Sequence, residues 1–143
     1  MSTINKRRQP RGEAFRGFTL IELLVTLSII VLLSAISLVA LQGSRQSGRD
    51  ARRKSDLESI RSALELYKSD CGDYPASLSF GSTLVGDGTP ASCRASNVYM
   101  AQIPRDPQHP TRTYTYTSTG STYTLCASLE GLSGTCNYTV TNP

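Results

Sequence analysis

Residues 18–41 run for 24 positions with a single ionisable side chain, Glu22. As an α-helix this run is roughly 36 Å long, enough to cross a hydrocarbon core of about 30 Å. It exceeds the apolar stretch of an ordinary cleaved signal peptide, which reaches about 15 residues. Any fold must leave this helix in lipid or cover it with an equally apolar surface. Much of the aliphatic content of the 143-residue chain, which is 38% hydrophobic, lies in this run. The remainder is rich in Ser, Thr, Gly and Tyr, which suits a small β-rich domain with a thin core.

The formal net charge of +4 sits entirely before the run. Residues 1–17 carry Lys6, Arg7, Arg8, Arg11 and Arg16 against Glu13, and the basic and acidic side chains of residues 18–143 balance. The basic character is therefore a targeting feature and not a nucleic-acid footprint. A second basic cluster, Arg49, Arg52, Arg53 and Lys54, has three readings: a solvated face, a contact with a neighbouring subunit or with anionic lipid, or a DNA contact. The first is the plainest. DNA is possible but unsupported, because no aromatic side chains interleave with the cluster.

The four cysteines, Cys71, Cys93, Cys126 and Cys136, form no CxxC pair, and His109 is the only histidine. An even count beyond a membrane-length segment indicates an oxidising compartment outside the cytoplasm. Three pairings are possible. Cys71–Cys93 with Cys126–Cys136 is favoured because both close short loops. Charge alone leaves the orientation open, since Arg45 to Lys54 nearly balances the leader. The cysteines place the leader in the cytoplasm and the C-terminal part outside.

A carboxylate within hydrocarbon costs a few kcal/mol on insertion scales, so Glu22 calls for a partner. Read alone, it is equally well a side chain snorkelling to the interface. Its surroundings decide the matter. Gly17-Phe18-Thr19-Leu20-Ile21-Glu22, with a basic leader before it and an apolar helix after it, resembles the prepilin motif of type IV pilins and type II secretion pseudopilins. The resemblance implies that a prepilin peptidase cleaves between Gly17 and Phe18 and then methylates the new amine of Phe18. It also implies that Glu22 pairs with a subunit N-terminus during assembly, from its own chain or from the next. The Phe18 amine stands one helical turn from Glu22.

Beyond the run, Gly43 and Gly48 weaken the helix by about 1 kcal/mol each relative to Ala, which makes residues 43–48 a candidate hinge, continuous in the monomer. Leu57, Ile60, Ala63, Leu64 and Tyr67 then form one apolar helical face. Asp50/Lys54 and Glu65/Lys68 are expected surface pairs. Gly72 and Pro75 end the helix. The segment from Tyr67 to Pro75 resembles the YxxDxGxYP stretch of pseudopilins, and Ile103-Pro104-Arg105-Asp106-Pro107 resembles their LPxDPWGxP loop without its Trp-Gly. Residues 76–97 read as a loop, and a short helix is expected near Val98-Tyr99-Met100-Ala101. Three strands follow, residues 113–117, 121–127 and 135–140, joined by short turns. Asp106 and Glu130 are the only carboxylates after residue 100, too few for calcium. The sequon Asn137-Tyr138-Thr139 is attributed to chance.

The expected fold is α+β and pilin-like: a long N-terminal helix, membrane-spanning in its first half, packed on a small antiparallel sheet of about three strands. Residues 1–17 are a cleaved leader and 18–41 a transmembrane and filament-core helix. Residues 42–70 are its amphipathic continuation and 71–143 an extracytoplasmic head with a loop and a β-meander. No catalytic residue, metal or cofactor is called for, and no nucleophile–base–acid set supports an enzyme. The leading expectation is a structural subunit of a type IV pilus-like filament. The alternative is a type II secretion pseudopilin in a short periplasmic filament. Either implies self-association in a homopolymer or mixed filament, a prepilin peptidase and an inner-membrane assembly platform. The precursor is expected to lie in the cytoplasmic membrane.

Overall fold

The computed structural model describes residues 17–142, so the expected leader, Gly17 apart, lies outside the described residues. One helix, α1 (Leu20–Cys71), precedes five short strands: β1 (Leu84–Val85), β2 (Val98–Met100), β3 (Thr115–Ser118), β4 (Tyr123–Ala127) and β5 (Tyr138–Thr141). The chain divides into two compact units at Ala40–Leu41.

In the N-terminal unit, α1 starts where Thr19 caps it, and the Leu23 amide donates to the Thr19 carbonyl at 3.3 Å. The side chains from Phe18 to Ser37 are all exposed. α1 is long and apolar enough to cross a membrane. Its hydroxyls find their partners within the helix itself. Thr26, Ser28, Ser34 and Ser37 each donate to a carbonyl three or four residues earlier, at 2.7–3.0 Å. Turning back on the helix satisfies them without water or a second helix.

In the head unit, α1 continues without interruption through Gly43 and Gly48 to Cys71. Leu57, Ile60, Ala63, Leu64 and Tyr67 are buried in the core, as their helical spacing requires. The helix stops at Gly72, whose φ of 87° suits a residue without Cβ and whose amide bonds the Lys68 carbonyl at 2.8 Å. Strands β3, β4 and β5 form an antiparallel meander in that order, with Thr115 opposite Cys126 and Leu125 opposite Val140. β1 and β2 form a separate antiparallel pair with Leu84 opposite Met100.

Two expectations are corrected. The stretch near Val98 is strand and not helix, since a β-branched residue and a tyrosine there find a pairing partner in Leu84–Val85. A helix so short would also carry its nucleation cost with few bonds in return. The third strand begins at Tyr138 and not at residue 135. The side chain of Asn137 instead organises the preceding turn, accepting from the Leu129 amide at 2.7 Å and donating to the Leu129 and Leu132 carbonyls.

The core is thin and built largely on tyrosine. Tyr67, Tyr74, Tyr114 and Tyr123 are buried beside Leu57, Ile60, Leu64, Leu125 and Val140. A buried phenol needs a partner for its hydroxyl, and the helix supplies carboxylates for two of them. Tyr114 donates to Asp56 at 2.8 Å and Tyr74 donates to Glu65 at 2.9 Å. Glu65 is thus taken by Tyr74, whereas Lys68 sits over the Tyr74 ring at 4.4 Å and donates to the Ser121 carbonyl. These contacts replace the expected Glu65/Lys68 pair. Tyr123 is the exception, a buried phenol whose hydroxyl has no partner among the described residues. Tyr123→Phe should therefore raise stability by about 1 kcal/mol, because it removes an unsatisfied hydroxyl and keeps the ring. Thermal unfolding of the full chain in detergent tests this, and a clear loss would reveal a bond to that oxygen.

Candidate functional site

Gly17 and Phe18 precede the helix in irregular, exposed backbone, and Phe18 is 76% exposed. A Cβ added to Gly17 would meet no atom within 4 Å, and Gly17 does not hold a positive φ. Nothing among the described residues therefore demands glycine there.

Glu22 is held by Thr19, a pairing the sequence reading missed. The Thr19 amide and hydroxyl both donate to Oε2 of Glu22, at 3.0 and 2.8 Å. In return the Glu22 amide donates to Thr19 Oγ1 at 3.3 Å. This is a capping box, in which two residues three apart satisfy each other's orphan amides at a helix start. It was legible as Thr19-x-x-Glu22. The box uses one carboxylate oxygen. Oε1 of Glu22 has no hydrogen-bond partner among the described residues, which leaves a negatively charged oxygen on an exposed apolar helix.

The cysteines join as Cys71–Cys93 and Cys126–Cys136, with Cα separations of 4.6 and 5.6 Å. The first ties the end of α1 to the loop between β1 and β2. The second ties β4 to the segment before β5. His109 is exposed in the proline-rich loop. The sequon residue Asn137 has its amide nitrogen engaged within the 129–134 turn.

The second basic cluster is a solvated face only in part, at Arg52 and Lys54. Arg53 is fully buried and all five of its N–H donors are used. Nε and Nη2 form a two-pronged pair with Asp106 at 2.8 and 3.0 Å. Nη1 bonds Asp50 at 2.6 Å and Glu130 at 2.9 Å, and Nη2 also bonds Gln108 at 2.9 Å. Arg49 adds a second two-pronged pair to Glu130, both bonds at 2.6 Å. Asp50, expected to pair with Lys54, instead bonds Arg53 and accepts the Glu130 amide, while Lys54 lies over the Tyr138 ring. Arg52 and Lys54 stay exposed without an ion pair among the described residues. The two late carboxylates, Asp106 and Glu130, are thus committed to arginines. Hydrogen bonds from Arg49 pull the Glu130 carboxyl down to about 2, against a smaller opposing effect of burial and with help from Arg53. Burial alone would raise the Asp106 carboxyl, but the bonds from Arg53 and the Gln108 amide outweigh it and hold it below the usual range.

Comparison with known proteins matches two family descriptions: "Type II secretion system (T2SS), protein G" over residues 40–136 and "Prokaryotic N-terminal methylation motif" over residues 14–38. Similar proteins include the type II secretion system core protein G of Pectobacterium carotovorum subsp. carotovorum, 32% identical over 67% of this chain and 64% of that protein. Those of Aeromonas hydrophila and Vibrio cholerae are 31% and 28% identical over 73% and 82% of this chain, and 71% and 81% of their own lengths. The chain therefore spans slightly less than two thirds of the Pectobacterium relative. No solved structure matches the chain.

Breaking the arginine cluster should be costly to the head. Arg53→Ala strands the buried Asp106 and should cost about 3–5 kcal/mol, whereas Arg52→Ala should cost less than about 0.5 kcal/mol. Because Glu130 and Asp106 are depressed in the fold, their stabilisation is complete above the unfolded carboxylate range of about 4 and is lost as pH falls toward about 2. Melting temperature measured against pH should be flat from about 5 to 8 and fall steeply below, and the fall should be shallower in Glu130→Gln.

Proposed function

Since the chain belongs to the protein G family of type II secretion systems, we propose that it is a pseudopilin. In this reading it is a non-enzymatic subunit that leaves the cytoplasmic membrane to build a short periplasmic filament. The match over residues 40–136 carries this choice, because its description is specific to type II secretion, whereas the methylation motif over residues 14–38 is not. The expectation of a type IV pilus subunit holds only at the level of the wider family that shares the methylation motif.

The N-terminal geometry supports a processing and assembly sequence. The Gly17–Phe18 peptide is exposed before the helix begins, where a peptidase can hold it extended. Hydrolysis there releases the leader and leaves an ammonium on Phe18, which the same peptidase methylates. The freed amine stands near the capped start of α1. Thr19 holds Oε2 of Glu22, and Oε1 is left to accept a donor. The Phe18 ammonium of a neighbouring copy fits that role, because the Glu22 of each chain is already engaged locally. In hydrocarbon the half-satisfied carboxylate is costly. Docking a cation against it lowers that cost and fixes the register of one apolar helix on the next. The exposed apolar surface from Phe18 to Ile36 would then be covered by other subunits.

Glu22→Ala should leave the subunit inserted and largely cleaved but abolish its entry into filaments; normal filament yield would refute the pairing. Gly17→Leu should stop cleavage, read as a slower-migrating band with its N-terminal sequence retained. Thr19→Val removes the hydroxyl bond but keeps the shape, and should reduce assembly by about tenfold, the scale of one charge-assisted hydrogen bond. The same change should leave cleavage intact.

A further inference from the structure

The charges of the head are segregated along α1. At its membrane-proximal end Arg45 and Arg52 are exposed and carry no ion pair or hydrogen bond among the described residues. At the far end, no basic residue occurs between Lys68 and Arg94, a span that contains Asp70, Asp73 and Asp87. Asp73 and Asp87 line an open groove of about 620 Å³ whose lining includes Tyr67, Tyr74, Pro75 and Pro90. Both carboxylates are exposed. Asp73 forms no hydrogen bond or ion pair among the described residues, and one oxygen of Asp87 caps the Thr89 amide at 2.9 Å. Tyr67 and Tyr74 are buried and form only the floor, with Lys68 over the Tyr74 ring, so what the groove offers a guanidinium is its two exposed carboxylates, which match the planar fork of an arginine.

We propose that this groove receives Arg52 of a second copy of the chain. The inference rests on the filament reading and adds a head-to-head contact to the helix-to-helix one. The complementary charges occur on the same molecule but at separate places, about 30 Å apart along α1 at its rise per residue. One chain therefore cannot satisfy itself through this contact. A patch that meets a different patch on the next copy is heterologous, and repeated without closure it builds an open filament. The translation required lies along the axis of α1. Opposite charges at the two positions also disfavour registers that would set Arg52 against Arg52.

The test is a charge swap in the full chain expressed with its secretion machinery. Arg52→Glu and Asp73→Arg each alter an exposed side chain and should leave insertion, cleavage and melting temperature unchanged. Each should lower the yield of sheared filaments at least about tenfold through like-charge repulsion. The double variant, which restores opposite charges, should recover the yield to within about threefold. Wild-type yield from either single variant overturns the proposal. So does a double variant as poor as the singles, the result expected if Arg52 serves lipid head groups instead. The unaltered chain tests the underlying reading separately: no filaments from it would refute the filament itself, whereas filaments unaffected by the swaps would refute only this contact.

Discussion

A guanidinium with no access to water is tolerable only when every donor is met, and Arg53 meets all five. No single element could supply those acceptors. Asp50 comes from the same helix, Asp106 and Gln108 from the proline-rich loop, and Glu130 from the turn after β4. The three segments must therefore be in place together. That requirement fixes two irregular loops which their own backbone bonds would leave loose. Leaving Asp106 without Arg53 would be worse than never having either charge. The cluster is therefore better regarded as a device for a single arrangement than as a source of net stability. Gly131 belongs to the same closure, because a Cβ there would strike the Gln46 side chain. The 129–134 turn thus lies on α1 from Gln46 to Arg53.

The two units solve the problem of polar groups in opposite ways. In the head, buried hydroxyls and charges reach across the sequence, as Tyr114 reaches Asp56 and Arg49 reaches Glu130. In the N-terminal unit, every hydroxyl described reaches no further than one turn of its own helix. That difference suits a helix that crosses lipid, as the proposed reading requires. A helix that must be stable in lipid before it has neighbours cannot depend on partners from elsewhere in the chain. The head folds once and keeps its partners.

Much of this was legible from local pattern. The apolar run, the helical face from Leu57 to Tyr67, the stop at Gly72 and the alternation around Tyr114 and Tyr116 are properties of neighbours in sequence, where periodicity has force. The Arg53 cluster was not legible, because its partners lie 53 and 77 positions away and a run of basic residues on a helix usually faces water. Asn137 was hidden for a related reason: a sequon match describes three residues, but its side chain serves a turn several residues earlier. Strand β2 was misread because three residues carry no period, and only its pairing with Leu84–Val85 decides its state. At the N-terminus the motif identified Glu22 but drew attention away from Thr19, although the pair spells a capping box.

That box changes what Glu22 demands of a partner. A carboxylate with two free oxygens would need a donor at once and would take the first available, including the amine of its own chain. With Oε2 already bonded to the amide and hydroxyl of Thr19, the local need is partly met. The remaining oxygen is too costly to ignore in hydrocarbon yet too weak a demand to distort the first turn of its own helix. On the proposed reading, that balance favours waiting for a neighbour. On the same reading a second cleaved copy brings a cation to that oxygen, and assembly is coupled to processing by the electrostatics of one carboxylate.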